Sequence, residues 1–150
     1  LHKKELQKLP FILFYLDLDH FKPVNDTYGH DMGDKLLKEA ATRLQSCIRS
    51  NDYAFRIGGD EFSLVVCTEF DESLCCRIKE QIQNRLCAPF DIDGKTLYVG
   101  SSCGYAAYPR DASTANEIRI LADQRMYAEK EKHHMFSSLS SSSTGSGLEK

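Results

Sequence analysis

Six consecutive apolar residues, Phe11-Ile12-Leu13-Phe14-Tyr15-Leu16, run directly into acids at Asp17 and Asp19. The run is far too short to span a membrane, and its length and aromatic content suit a strand. A strand that is apolar at every position has to be covered on both faces, which places it at the centre of a sheet. Around it the chain alternates. From Gly33 to Arg49 the residues Leu36, Leu37, Ala40, Ala41, Leu44, Cys47 and Ile48 form one helical stripe. Ala54–Ile57 and Phe62–Cys67 read as two strands joined at Gly58-Gly59-Asp60-Glu61, a hairpin signal. Leu74, Ile78, Ile82 and Leu86 mark a second helix ended by Pro89, and Asp93-Gly94 turns a small hairpin. Leu97–Ala107 gives another strand, and Ile118, Leu121, Ala122 and Met126 a last helix ending near Lys132. The expected fold is α+β, a mostly antiparallel central sheet flanked by helices.

At 150 residues the chain has room for one domain with a real core. Leu1–Leu9 reads as the end of a helix, and Ser137–Gly147 is nearly all Ser, Thr and Gly. The expected division is a domain over 1–136 and a flexible linker or tail over 137–150. A net charge of -3 gives no reason to expect nucleic acid as a partner, and no apolar run approaches membrane-spanning length. Cys47, Cys67, Cys75, Cys76, Cys87 and Cys103 lack C-x-x-C spacing. They are expected to be reduced, buried thiols of a cytoplasmic protein.

Carboxylates suit a buried strand poorly, yet Asp17 and Asp19 close one and, two residues apart, point to the same face. They read either as strand termination at the surface or as ligands for magnesium, a hard cation that takes oxygen ligands. Asp60-Glu61 on the hairpin is either a solvated turn or a second acidic pair. Should the hairpin lie beside the first strand, Asp60 and Asp17 would share a metal. Asn25, His30 and Asp34 fall in a polar segment between strand and helix. Asn and Asp read a purine edge well, and they also suit turns and helix caps. Lys22 is a solvated lysine or a phosphate partner.

Phe14-Tyr15-Leu16-Asp17-Leu18-Asp19-His20-Phe21-Lys22, followed by Asn25-Asp26-Thr27-Tyr28-Gly29-His30-Asp31-Met32-Gly33-Asp34, resembles the substrate-binding stretch of GGDEF diguanylate cyclases. Arg56-Ile57-Gly58-Gly59-Asp60-Glu61-Phe62 reproduces that family's signature. Ser102-Cys103-Gly104-Tyr105-Ala106 resembles its late strand, and Ala122-Asp123 through Tyr127 and Lys130 its closing helix. The resemblance covers residues 10 to 132 in order. It implies a palm or nucleotidyl cyclase fold, and condensation of two GTP into cyclic di-GMP by a homodimer using magnesium or manganese. It further implies Asp17, the Leu18 carbonyl and Asp60 as metal ligands, with Asp60 also the catalytic base. Glu61 would support metal and nucleotide, and Lys22 would stabilise the transition state. Asn25, His30 and Asp34 would hold guanine and sugar, and Lys130 a phosphate. Arg49-Ser50-Asn51-Asp52 resembles the family's inhibitory R-x-x-D site, where Arg49 and Asp52 would grip the product.

Two departures from the family pattern stand out. The usual opening D-x-L-T-G-L-x-N-R segment is absent. His133 and His134 stand where the family has glycine and a phosphate-binding arginine. A neutral imidazole cannot replace a bidentate guanidinium, so weaker triphosphate binding is expected. The alternative function is a catalytically weak GTP- or cyclic di-GMP-binding domain that regulates a neighbour such as a phosphodiesterase.

Overall fold

The computed structural model describes residues 9–149, with side chains through residue 135. The expected helix end before Leu9 lies outside the described residues. The apolar run forms β1 (Phe11–Asp19), followed by helices α1 (Phe21–Tyr28) and α2 (His30–Gln45). The hairpin strands are β2 (Tyr53–Gly58) and β3 (Glu61–Val66), and α3 spans Glu72–Cys87. Two short strands, β4 (Phe90–Ile92) and β5 (Lys95–Leu97), precede β6 (Gly100–Tyr108) and α4 (Ala115–Glu149).

The main sheet has the order β2-β3-β1-β6, every pair antiparallel, so β1 is indeed internal. β4 and β5 form a separate hairpin, turning at Asp93-Gly94 as expected. On one face of the sheet Ile12, Phe14, Leu16 and Leu18 join Leu36, Leu44, Ile78, Ile82 and Leu86 in the larger core. The opposite face carries a smaller cluster, in which Leu13 and Ala106 meet Ile118 and Ala122 of α4. Both faces of β1 are therefore covered, by α2 and α3 on one side and by α4 on the other. Asp17 and Asp19 share the parity of Leu13, so they end β1 on the face that α4 crosses.

That crossing is close. A Cβ at Gly104 would lie 2.2 Å from the Met126 backbone nitrogen and 2.6 Å from the Ala122 carbonyl oxygen. Only a residue without a side chain lets α4 sit this low on β6, and the closeness sets how deep the next turns of α4 reach into the site.

Four expectations change. The polar segment after β1 is a helix, α1, held by Phe21 and Val24. Pro23 is compatible because it falls in the first turn, where backbone N–H groups have no intrahelical partner. The strand expected over Leu97–Ala107 breaks before Gly100 into β5 and β6. α4 continues past Lys132, since no Pro follows and the first Gly is Gly145, while Ser is only a middling helix former. Finally, all six cysteines are free, but Cys67, Cys76 and Cys87 are exposed. Burial pushes the Cys75 thiol up to about 11 and the Cys103 thiol up to about 12, so both stay protonated at neutral pH.

Arg43 is a structural residue that helical periodicity does not single out. Its guanidinium stacks 3.7 Å from the Phe90 ring centre and donates to the carbonyls of Arg85, Ala88 and Pro89 at 2.7–2.9 Å. It thus ties α2 to the end of α3, satisfying carbonyls that the helix leaves free. Arg43→Met is expected to cost about 2 kcal/mol in urea unfolding, the sum of lost charge-assisted hydrogen bonds and stacking offset by retained apolar contact.

Candidate functional site

β3 lies directly beside β1, and the register sets Asp17 opposite Glu61. Directly opposed residues of an antiparallel pair share a face, so Glu61 joins Asp17 beneath α4. The Gly58-Gly59 turn carries Asp60 to the end of β1, where its carbonyl accepts from the Leu18 N–H at 3.1 Å. A Cβ at Gly58 or Gly59 would meet nothing within 4 Å, so the protein's own packing does not exclude a side chain there. The open space above the turn is free for a ligand. From α4, Lys130 reaches down and its Nζ donates to Asp17 Oδ2 at 2.6 Å.

Asp17 is almost entirely buried, and its Oδ1 has no hydrogen-bond partner. Burial, only partly offset by Lys130, pushes its carboxyl above the usual range, and the charges of Asp19 and Asp60 push the same way. Burial together with Asp123, Asp17 and Asp60 also raises Glu61. Burial opposes the charge on Lys130, but its contact with Asp17 and the fields of Asp19 and Asp60 outweigh it and hold the ammonium above its ordinary range. An orphaned buried carboxylate oxygen among like charges is what a hard cation relieves, so these residues fit a magnesium ion. Among the described residues no three His, Cys, Asp or Glu side chains already form a complete metal-holding group. Remaining ligands would have to come from backbone carbonyls, solvent or substrate oxygens.

A second group lies at the α1–α2 junction. His30 begins α2 and Asp34 follows one turn later, both exposed. Asn25, on α1, packs against Gly33 so closely that a Cβ there would collide with its amide oxygen. That oxygen is buried and has no partner. Lys22 is exposed and faces Asp26 at 3.7 Å. Its side chain is not drawn into the acidic cluster.

Arg49 and Asp52 form a third group, away from both. They sit in the turn beyond α2 rather than in the helix. Arg49 makes a two-pronged contact with Asp52, Nε to Oδ2 at 3.0 Å and Nη2 to Oδ1 at 3.1 Å. Asp52 also accepts from the backbone N–H groups of Arg49 and Cys67. Burial opposes the Asp52 charge, but these hydrogen bonds prevail and hold its carboxyl below the usual range.

Lys130 was expected at a phosphate and is found on Asp17. His133 has its Nδ1 3.1 Å from both Asp19 Oδ2 and the Ser102 hydroxyl. Ser102 in turn donates to Asp19. With His20, Lys130 and His134, Asp19 and His133 line a cleft of about 180 Å³ beside the acidic cluster. Neither the His133–Asp19–Ser102 contact nor the field of Asp123 on Glu61 was apparent from sequence. Ser102 and Asp123 lie in segments that resemble the family, but nothing in the spacing joins them to the acids.

Residues 1–135 match the family profile described as diguanylate cyclase, GGDEF domain. The chain is 38% identical over 122 residues to the bifunctional diguanylate cyclase/cyclic di-GMP phosphodiesterase MucR of Pseudomonas aeruginosa, covering 81% of this chain and 18% of MucR. It is 36% identical over 128 residues to the probable diguanylate cyclase DgcT of Escherichia coli, covering 83% of this chain and 28% of DgcT. The chain therefore spans less than a third of either relative. Its fold superposes on the crystal structure of a sensory box/GGDEF family protein from Caulobacter crescentus with a TM-score of 0.77 and 38% identity, over 87% of this chain and 85% of that one. The α+β sheet is thus the palm-like cyclase fold of that group. A match over nine-tenths of the chain, reproduced in sequence and in fold, places this protein in the GGDEF domain family of diguanylate cyclases.

Proposed function

We propose that this domain condenses two GTP molecules into cyclic di-GMP, releasing two pyrophosphates, and that it does so as a homodimer in the cytoplasm. The observation that carries the proposal is Asp17, a buried carboxylate with an unpartnered oxygen, flanked by Glu61 and by the Asp60 turn. Asp17, the Leu18 carbonyl and Asp60 would hold magnesium, or manganese in its place. When bound there, such an ion would neutralise charge at the α-phosphate and lower the pKa of the attacking hydroxyl.

The protein's own groups do the rest. Asn25, His30 and Asp34 hold the guanine and sugar. Asp60 takes the proton of the 3′-hydroxyl as that oxygen bonds to the α-phosphorus of the other GTP and the α–β anhydride bond breaks. Lys22, exposed and free to reorient, and Lys130 stabilise the developing phosphate charge, while Glu61 supports metal and nucleotide. Each domain holds one GTP, so two must meet face to face, and the bond-forming step occurs twice per product.

Asp60→Asn is expected to keep the fold and much of the GTP affinity while losing condensation by a factor on the order of 10³ or more. Circular dichroism, nucleotide binding and product formation measured on the same preparation check this. Near-normal turnover would remove Asp60 from the role.

The second reading is regulatory: a domain that binds GTP or cyclic di-GMP and controls a neighbour across the Ser/Gly-rich stretch from residue 137. His134 in place of the family's arginine favours it. In either reading Arg49 and Asp52 form the product site, with Arg49 turning from Asp52 towards guanine and phosphate. Arg49→Ala is expected to weaken cyclic di-GMP binding at least about tenfold in calorimetric titration, even though wild type must loosen an existing ion pair. Equal affinities would reduce the Arg49–Asp52 pair to a structural clasp on the turn.

A further inference from the structure

We propose that Lys130 is an internal counter-cation of the acidic cluster that opposes the divalent metal at Asp17, so that metal binds weakly while Lys130 stays in place. The proposal rests on the reading of Asp17 as a metal ligand. Three observations carry it. The Lys130 ammonium already occupies one oxygen of Asp17 at 2.6 Å, leaving the other buried and unpartnered. It stands within the fields of Asp19 and Asp60 as well, so it serves the cluster and not one acid alone. And it comes from α4, whose distance from the sheet is fixed by the close approach at Gly104, so its backbone is anchored one turn from that contact.

An ammonium on one oxygen of Asp17 repels a divalent ion arriving at the other, and in a buried site that repulsion is poorly screened. Without nucleotide, Lys130 has nowhere better to go than Asp17. A triphosphate entering the adjacent cleft, which Lys130 also lines, offers it a new anionic partner. The nucleotide thereby uncovers the metal ligand, and metal and nucleotide strengthen each other's binding. A domain without substrate then holds its acids together without a metal, and assembles the reactive arrangement only when GTP arrives.

The test is Mn²⁺ binding in the absence of any nucleotide, read by electron paramagnetic resonance of the free aqua ion. If Lys130 sits on Asp17 most of the time, apparent affinity in wild type is reduced by that fraction, and Lys130→Met should bind Mn²⁺ about tenfold or more tightly. Lys130→Arg, which keeps a cation at the same place, should stay near wild type. Lys132→Met removes an equal charge from the same helix but from a residue with no contact to Asp17, and should change affinity less than about twofold. Equal gains in Lys130→Met and Lys132→Met would overturn the competition in favour of a general charge effect. Unchanged, weaker or absent binding in Lys130→Met would also overturn it. Asp17→Asn separates the two claims: if it leaves Mn²⁺ binding intact, the ligand reading itself fails, whereas if it alone lowers binding, only the competition fails.

Discussion

Asp17→Asn is expected to eliminate cyclic di-GMP formation, by a factor on the order of 10³ or more, while leaving the domain at least as stable as the parent at neutral pH. The two halves of this result come from one fact. Burial and the neighbouring acids raise the Asp17 carboxyl above its ordinary value despite the help of Lys130. A group whose folded-state pKa is raised gives stability that is fully present below its unfolded pKa and lost as pH rises through the folded value. Once pH rises through the folded value Asp17 ionises, and its charge is then held at a cost to the fold. An isosteric neutral amide removes the cost, and Lys130 is exposed enough to return to solvent. Melting curves at pH 7 and at pH 4 check this: the variant should gain on the parent at pH 7 and lose that gain towards pH 4. A variant markedly less stable than the parent at pH 7 would mean that the Lys130 contact outweighs burial.

Gly104→Ala is expected to be the most damaging single methyl that can be added outside the acidic cluster. The new Cβ would fall 2.2 Å from a backbone nitrogen and 2.5 Å from a backbone carbon of α4, and no side-chain rotation relieves a clash with main chain. Either the domain loses about 3 kcal/mol or more, or α4 lifts off β6 and takes Lys130 and His133 with it. Urea unfolding measures the first, and loss of activity out of proportion to the unfolded fraction measures the second. A variant with wild-type stability and turnover would contradict the close approach.

The sequence made some of this plain and hid the rest for physical reasons. Phe11–Leu16 announced a central strand because apolar residues on both parities have only one use. The same run made Asp17 and Asp19 conspicuous, since carboxylates at its end need an explanation that scattered surface acids do not. α1 was not visible, because an eight-residue helix that buries only Phe21 and Val24 offers too few apolar positions to show a period. The partner of Asp17 was hidden by distance: Lys130 is 113 positions away, and only the resemblance of both segments to one family put them near one site. The resemblance gave Lys130 a phosphate, and its contact with Asp17 was not part of that expectation. Nothing about Gly104 in isolation tells a close helix crossing from an ordinary turn. Arg49 and Asp52 were legible as a pair, but a three-residue spacing does not reveal that the pair closes on itself with backbone help from Cys67.

The most direct test follows the fate of GTP. The protein, incubated with GTP and magnesium, should convert two GTP into one cyclic di-GMP and two pyrophosphates, resolved by chromatography and mass spectrometry. A linear dinucleotide should appear first, since the two phosphodiester bonds form in separate steps. At low protein concentration the rate per chain should rise with concentration, because two domains must meet. GTP recovered unchanged, or cleaved to GDP and phosphate without any dinucleotide, would contradict the account and leave the domain as a binder of guanine nucleotides.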